Sequence, residues 1–153
     1  MITVEEFKNL SDDEILDTIE CMSGEERIQL VKELFPNFRM KCSKMGYDNE
    51  GRNKYKITIS NGNMPFSTVF YDSIYNTQRD ERSDDFNILY CIISDAQSYE
   101  YNEYFEDFCN EFGYTDIDKP KKIYNGCKRA YENLTETFGY EGYKTLRDLT
   151  YNY

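Results

Sequence analysis

The run Phe86-Asn-Ile-Leu-Tyr-Cys-Ile-Ile93 constrains the fold more than any other stretch of the chain. Phe86, Leu89, Tyr90 and Ile93 fall at i, i+3, i+4 and i+7, the spacing of one helical face, and Ile88 and Ile92 fill most of what remains. A helix apolar nearly all round belongs inside a core. The next apolar series, Tyr104-Phe-Glu-Asp-Phe-Cys-Asn-Glu-Phe112, has a different character. Phe105, Phe108, Cys109 and Phe112 share one helical stripe, while Glu106, Asp107, Asn110 and Glu111 face the other way. From Ser83 to Asp118 there are ten acidic residues and no Lys or Arg. A buried helix is thus followed by an acidic one, and residues 95–103, including Ser98-Tyr-Glu-Tyr-Asn102, read as a solvated connector between them.

Upstream, residues 1–36 read as an N-terminal helical segment. Thr3 with Glu6, Ser11 with Glu14 and Ser23 with Glu26 have the spacing of helix-capping boxes, and Pro36 ends the third helix. Residues 37–153 read as the main domain. Its pattern begins with a change of period: Phe38, Met40 and Cys42 alternate with Arg39, Lys41 and Ser43, and Tyr55, Ile57 and Ile59 alternate with Lys54, Lys56, Thr58 and Ser60. With a turn at 48–53, a second at Asn61-Gly-Asn63 and a third strand at Phe66–Tyr71, the expectation is an antiparallel β-meander packed against helices, an α+β fold.

Downstream of that sheet, Asp72–Ser83 is polar and reads as a loop. Gly113 suits the C-cap of the acidic helix, Thr115–Pro120 reads as a further loop, and a helix is expected over Lys121–Phe138. Gly139 breaks it, and a last short helix over 142–151 turns Tyr143, Leu146 and Leu149 inward.

The chain has 153 residues, enough for one domain with a real core. Its formal charge of −11 disfavours nonspecific nucleic-acid binding, which requires a basic surface to displace counterions. Most of the excess sits in residues 1–36 and 83–118, whereas 37–62 carries +4. Histidine is absent, which removes Ser-His-Asp and Cys-His nucleophilic arrangements, His-bearing zinc sites and imidazole general-base catalysis. No phosphate-cradling glycine loop occurs. Asp48-Asn-Glu-Gly51 lacks the terminal bidentate glutamate of a calcium loop. Five cysteines without C-x-x-C spacing read as reduced thiols, no run reaches membrane-span length, and the N-terminus carries Glu5 and Glu6 where a signal peptide is basic. These features describe a cytoplasmic, noncatalytic protein without cofactor or metal.

The acidic block supplies the candidate site. A helix rises 1.5 Å per residue and duplex DNA carries about one charge per 1.7 Å, so acids at i, i+1, i+4 and i+5 of a rigid helix fall at intervals comparable to those of nucleic-acid charges. Asp95, Glu100, Glu103, Glu106, Asp107 and Glu111 are the candidate partner-binding acids, with Tyr99, Tyr101, Tyr104 and Tyr114 as anchoring aromatics. A solvated helix face is the plainer reading of the same residues.

The runs Phe70-Tyr-Asp-Ser-Ile-Tyr-Asn-Thr77, Asp85–Asp95, Phe105-Glu-Asp-Phe-Cys-Asn-Glu-Phe-Gly-Tyr114 and Lys122-Ile-Tyr-Asn-Gly-Cys127 resemble a group of short acidic proteins encoded by phages and prophages. The resemblance covers about residues 53–138 and leaves the N-terminal helices outside it. It implies a mobile-element setting, in which a small, acidic, histidine-free protein looks like an inhibitor of host defence of the anti-CRISPR kind. The implied partner is a CRISPR effector nuclease in the host bacterial cytoplasm. Two other classes stay open: an adaptor or regulator contacting another phage or host protein through the N-terminal helices, and an enzyme using paired carboxylates such as Glu106 with Asp107.

Overall fold

A computed structural model of the chain describes residues 2–72, 85–102, 104–113 and 118–153, with the side chains of 72, 111, 112, 118 and 119 outside the description. The fold is α+β, with a three-stranded antiparallel sheet and six helices among these residues. Of the expected loops at Asp72–Ser83 and Thr115–Pro120, residues 73–83 and 115–117 lie outside the described residues, while Asp72 ends the third strand and 118–120 are helical. The chain forms two compact units, 1–88 with 151–153 and 89–150.

In the first unit, helices α1 (Val4–Lys8), α2 (Asp12–Glu20) and α3 (Gly24–Leu34) begin at the capping residues that the sequence marks. Ser11 Oγ accepts from the Glu14 amide at 3.3 Å while Glu14 accepts from the Ser11 amide, and Ser23 and Glu26 repeat the arrangement. Each box satisfies amides that the first turn leaves unpaired. At α1 only half of the box forms, with Thr3 accepting from the Glu6 amide.

The sheet follows, β1 (Phe38–Tyr47), β2 (Asn53–Asn61) and β3 (Phe66–Asp72), in the order β1-β2-β3. Met40 pairs with Ile59 and Cys42 with Ile57, so one face collects the apolar set, with Phe38, Tyr55, Ile57 and Ile59 buried. The other face carries Arg39, Lys41, Lys54, Lys56 and the hydrogen-bonded pair Thr58–Ser67. The alternation of period two produces this division. Asp48, at the β1–β2 turn, accepts from the amides of Glu50 and Arg52 and pairs with the Arg52 guanidinium at 2.6 Å. Its carboxylate is therefore used to build the turn.

One buried cation in this unit was not read from the sequence. Arg27 of α3 is 1% exposed, donates to the carbonyls of Met22 and Tyr151, and sits over the rings of Phe86 and Tyr153. Burial lowers its pKa and the charge at Tyr153 opposes that shift. Carbonyl oxygens and ring faces thus replace the water that the guanidinium gives up.

Helix α4 (Asp85–Tyr101), of which residues 85–88 belong to the first unit and 89–101 to the second, is longer than the sequence suggested. Phe86, Ile88, Leu89, Ile92, Ile93 and Ala96 are all buried, as its apolar circumference requires. Residues 95–101, expected as connector, are helical. They contain no Gly or Pro to break the ladder, and Ser98 and Asn102 return their side chains to the carbonyls four residues earlier.

Helix α5 (Phe105–Phe112) ends at Gly113, whose φ of 70° is the left-handed C-cap conformation that glycine adopts without strain. Helix α6 (Asp118–Asp148) starts three residues before the expected Lys121, with Pro120 in the first turn where it costs no hydrogen bond. It is interrupted at Gly139, φ 75° and ψ 164°. No helix among the described residues is long and apolar enough to cross a membrane.

Candidate acidic interaction surface

The candidate surface is built on α5 and the last turn of α4. Phe105 and Phe108 set α5 against α6 through the ring of Tyr124, with centroids 5.5 and 5.3 Å away and planes inclined at 64° and 63°. Edge-to-face packing of this kind fixes orientation as well as burying area. Because residues i and i+1 point about 100° apart on a helix, seating Phe105 and Phe108 inward turns Glu106 and Asp107 out, and both are exposed. Neither makes an ion pair among the described residues. Both occupy the first turn of α5, where the unpaired amides favour negative charge.

The ten predicted residues divide into three groups. Tyr101 and Tyr104 are 68% and 65% exposed and lie at the α4–α5 junction next in sequence to Glu106 and Asp107. Asp95 is exposed as well, yet enough protein surrounds it for desolvation to push its carboxyl up to about 6. A side chain standing in a crevice has both properties. Asp95 also acts on its neighbour: burial first, and then the Asp95 charge, raise the Cys127 thiol to about 12. That thiol is not a nucleophile near neutrality.

Tyr99 and Glu100 form the second group and are turned inward. Tyr99 packs on Tyr124 and Tyr131 at 5.5 and 5.4 Å. Glu100 accepts from Arg147 Nη1 at 2.7 Å and from the Tyr143 hydroxyl at 3.2 Å, with only 14% of its side chain exposed. Its charge is neutralised within the protein. Burial, and then the Glu100 charge, raise the Tyr143 phenol above its ordinary range. Burial pulls Arg147 down, but the hydrogen bond and charge of Glu100 outweigh it and hold the guanidinium above its ordinary value. Glu103, Tyr114 and the side chain of Glu111 form the third group and lie outside the described residues.

Sequence reasoning did not find Arg147 as the partner of Glu100, although it placed Tyr143 inward. Nor did it single out α2, where Asp12, Asp13, Glu14, Asp17 and Glu20 are all exposed and no basic residue shares the helix. The acids were present in the charge sum of residues 1–36, and their shared exposure required the fold. Among the described residues no three His, Cys, Asp or Glu side chains converge as a metal site would require.

Compared with the profiles of known protein families, with curated proteins and with solved structures, the chain matches none.

Proposed function

We propose that the chain is a noncatalytic inhibitor of a host defence nuclease, an anti-CRISPR protein acting in the bacterial cytoplasm. In this reading the surface at Tyr101, Tyr104, Glu106 and Asp107 binds a cationic nucleic-acid-binding or mobile region of a CRISPR effector. The observation that carries it is the exposure of Glu106 and Asp107, unpaired among the described residues, on a helix whose orientation is fixed by two phenylalanines. Carboxylates held this way meet a cationic channel without first losing side-chain partners of their own, and their field accelerates encounter. The two tyrosines provide rigid apolar bodies with polar tips, the residue type enriched at protein interfaces. The resemblance to short phage-encoded proteins suggests the class of target.

The test is a nuclease assay in which purified chain is titrated into guide-loaded CRISPR effectors at rising ionic strength. The proposal expects stoichiometric loss of target cleavage that weakens as salt screens the contact. Unchanged cleavage across the panel with the chain in excess, and no complex on a pulldown, would remove it.

A second reading is favoured by α2. Its five exposed carboxylates outnumber the exposed described acids of α4 and α5, and this helix lies in the segment assigned to an adaptor or regulator role. An adaptor would bind its partner through α2 and leave nuclease activity intact. Reversing Asp13 and Asp17 to Lys would then abolish capture, whereas reversing Glu106 and Asp107 would not.

A further inference from the structure

The first unit carries a surface of the opposite sign, independent of the acidic one. A groove of about 270 Å³ lies between α3 and the beginning of β1. Ile28, Pro36, Phe38 and Met40 supply apolar walls, and Lys32, Arg39 and Asp85 supply the polar lining. Small-molecule sites usually span about 300–1,000 Å³, so this volume suits one or two side chains better than a free ligand.

Three observations identify the occupant. First, β1 is an edge of the sheet, pairing among the described residues with β2 alone. An edge strand presents a row of backbone donors and acceptors that an extended chain can use as a template. Second, the cations are available. Arg39 is held by two bonds from Nη1, to the carbonyls of Pro36 and Phe38, and no other partner among the described residues occupies its remaining N–H groups. Lys32 and Lys41 are exposed and make no ion pair among the described residues. Third, Lys41 and Arg39 lie two residues apart on one face of β1, and the register carries that face on to Lys56 opposite Ser43 and Lys54 opposite Gly46. The cationic rim of the groove therefore continues across the open sheet, and no described carboxylate interrupts that face.

From these features we infer that the α3–β1 groove binds an extended acidic segment of a partner protein, by addition of a strand to the β1 edge. An apolar side chain of the segment enters between Ile28, Pro36, Phe38 and Met40. Carboxylates two residues apart, which an extended strand places on the same side, meet Arg39 and Lys41. A nucleic-acid strand fits less well. Phe38, the one aromatic residue lining the groove among the described residues, is only 4% exposed and offers no stacking face, and a long polyanion opposes the net charge of −11.

The experiment selects a displayed library of random twelve-residue peptides on the full chain and on its Lys32→Glu, Arg39→Glu variant. Both positions are exposed, and circular dichroism verifies that the variant keeps its fold. The wild type is expected to enrich peptides in which an apolar residue is followed by alternate acids. The best synthetic peptide should bind the variant at least tenfold more weakly and shift the amide resonances of β1 rather than those of β3. No enrichment, enrichment of basic peptides, or equal binding by the variant overturns the inference. It is also overturned if a single-stranded oligonucleotide binds more tightly with the same dependence on Lys32 and Arg39. A dimer in sedimentation that dissociates in the variant would assign the groove to a second copy of the chain and equally overturn it.

Discussion

The Glu100 carboxylate lies 2.7 Å from Arg147 Nη1, joining the end of α4 to the second half of α6 across 47 residues of sequence. The Tyr143 hydroxyl donates to the same oxygen, and its ring packs edge-on against Tyr131 at 5.4 Å. A partly shielded, charge-assisted bond of this kind contributes about 1.5–3 kcal/mol. Arg147→Ala should destabilise the protein by about that amount in urea denaturation. Glu100→Gln should cost less, since the amide oxygen still accepts from Tyr143. A double-mutant cycle should return a coupling of about 1 kcal/mol or more. Additive single effects would show that the two side chains do not interact.

Gly139 tests a local backbone requirement. At φ 75° and ψ 164° it occupies a region that is nearly exclusive to glycine, and a Cβ there would meet nothing within 4 Å. The cost of Gly139→Ala is therefore conformational, about 1–3 kcal/mol, without a steric contribution. The denaturation midpoint should fall with an unchanged m-value. An unaltered midpoint would mean that the break in α6 relaxes into continuous helix.

The carboxyl of Asp95 should titrate near 6, well above the ordinary 3.8, because desolvation disfavours its charged form. A folded-state pKa raised above the unfolded value means that the folded protein holds the proton more tightly. The contribution of Asp95 to stability is then fully present below the unfolded pKa and declines as pH rises toward 6. Asp95→Asn should remove this decline between those limits and leave the protein slightly more stable at pH 7. A carboxyl carbon resonance that titrates near 4 would contradict it.

Asn53 is 1% exposed, and neither polar atom of its side chain has a partner among the described residues. Replacing an unsatisfied buried amide with an apolar group of similar shape removes a desolvation cost. Asn53→Leu should be neutral or stabilising by about 1 kcal/mol in thermal denaturation. A clear loss of stability would reveal a bound water that satisfies the amide.

Local signals were legible in the sequence and long-range pairings were not. Ser11–Glu14 and Ser23–Glu26 formed complete capping boxes because the motif lies within one turn. The strand alternation gave β1, β2 and the buried face of β2, because a period of two sorts side chains without reference to the rest of the fold, and the turn at Asn61-Gly-Asn63 pointed to β3. The extent of α4 was missed because polar composition at 95–101 was read as a loop, although nothing there breaks a helix. At the acidic surface, the orientation of Glu106 and Asp107 followed from the Phe105 and Phe108 stripe. The inward turn of Glu100 did not, because it depends on Arg147, distant in sequence. Arg27 had a legible signal, standing three and four residues before Leu30 and Val31 on the buried stripe of α3, but charge argued against placing it there.

The charge reversal Glu106→Lys, Asp107→Lys tests the proposed activity most directly. Both side chains are exposed and unpaired among the described residues, so the variant should retain the circular dichroism of the wild type. Its concentration for half-inhibition of CRISPR effector cleavage should rise by about tenfold or more, as expected when a charged contact worth about 1.4 kcal/mol or more is lost. Inhibition by the folded variant equal to that of the wild type would contradict the account.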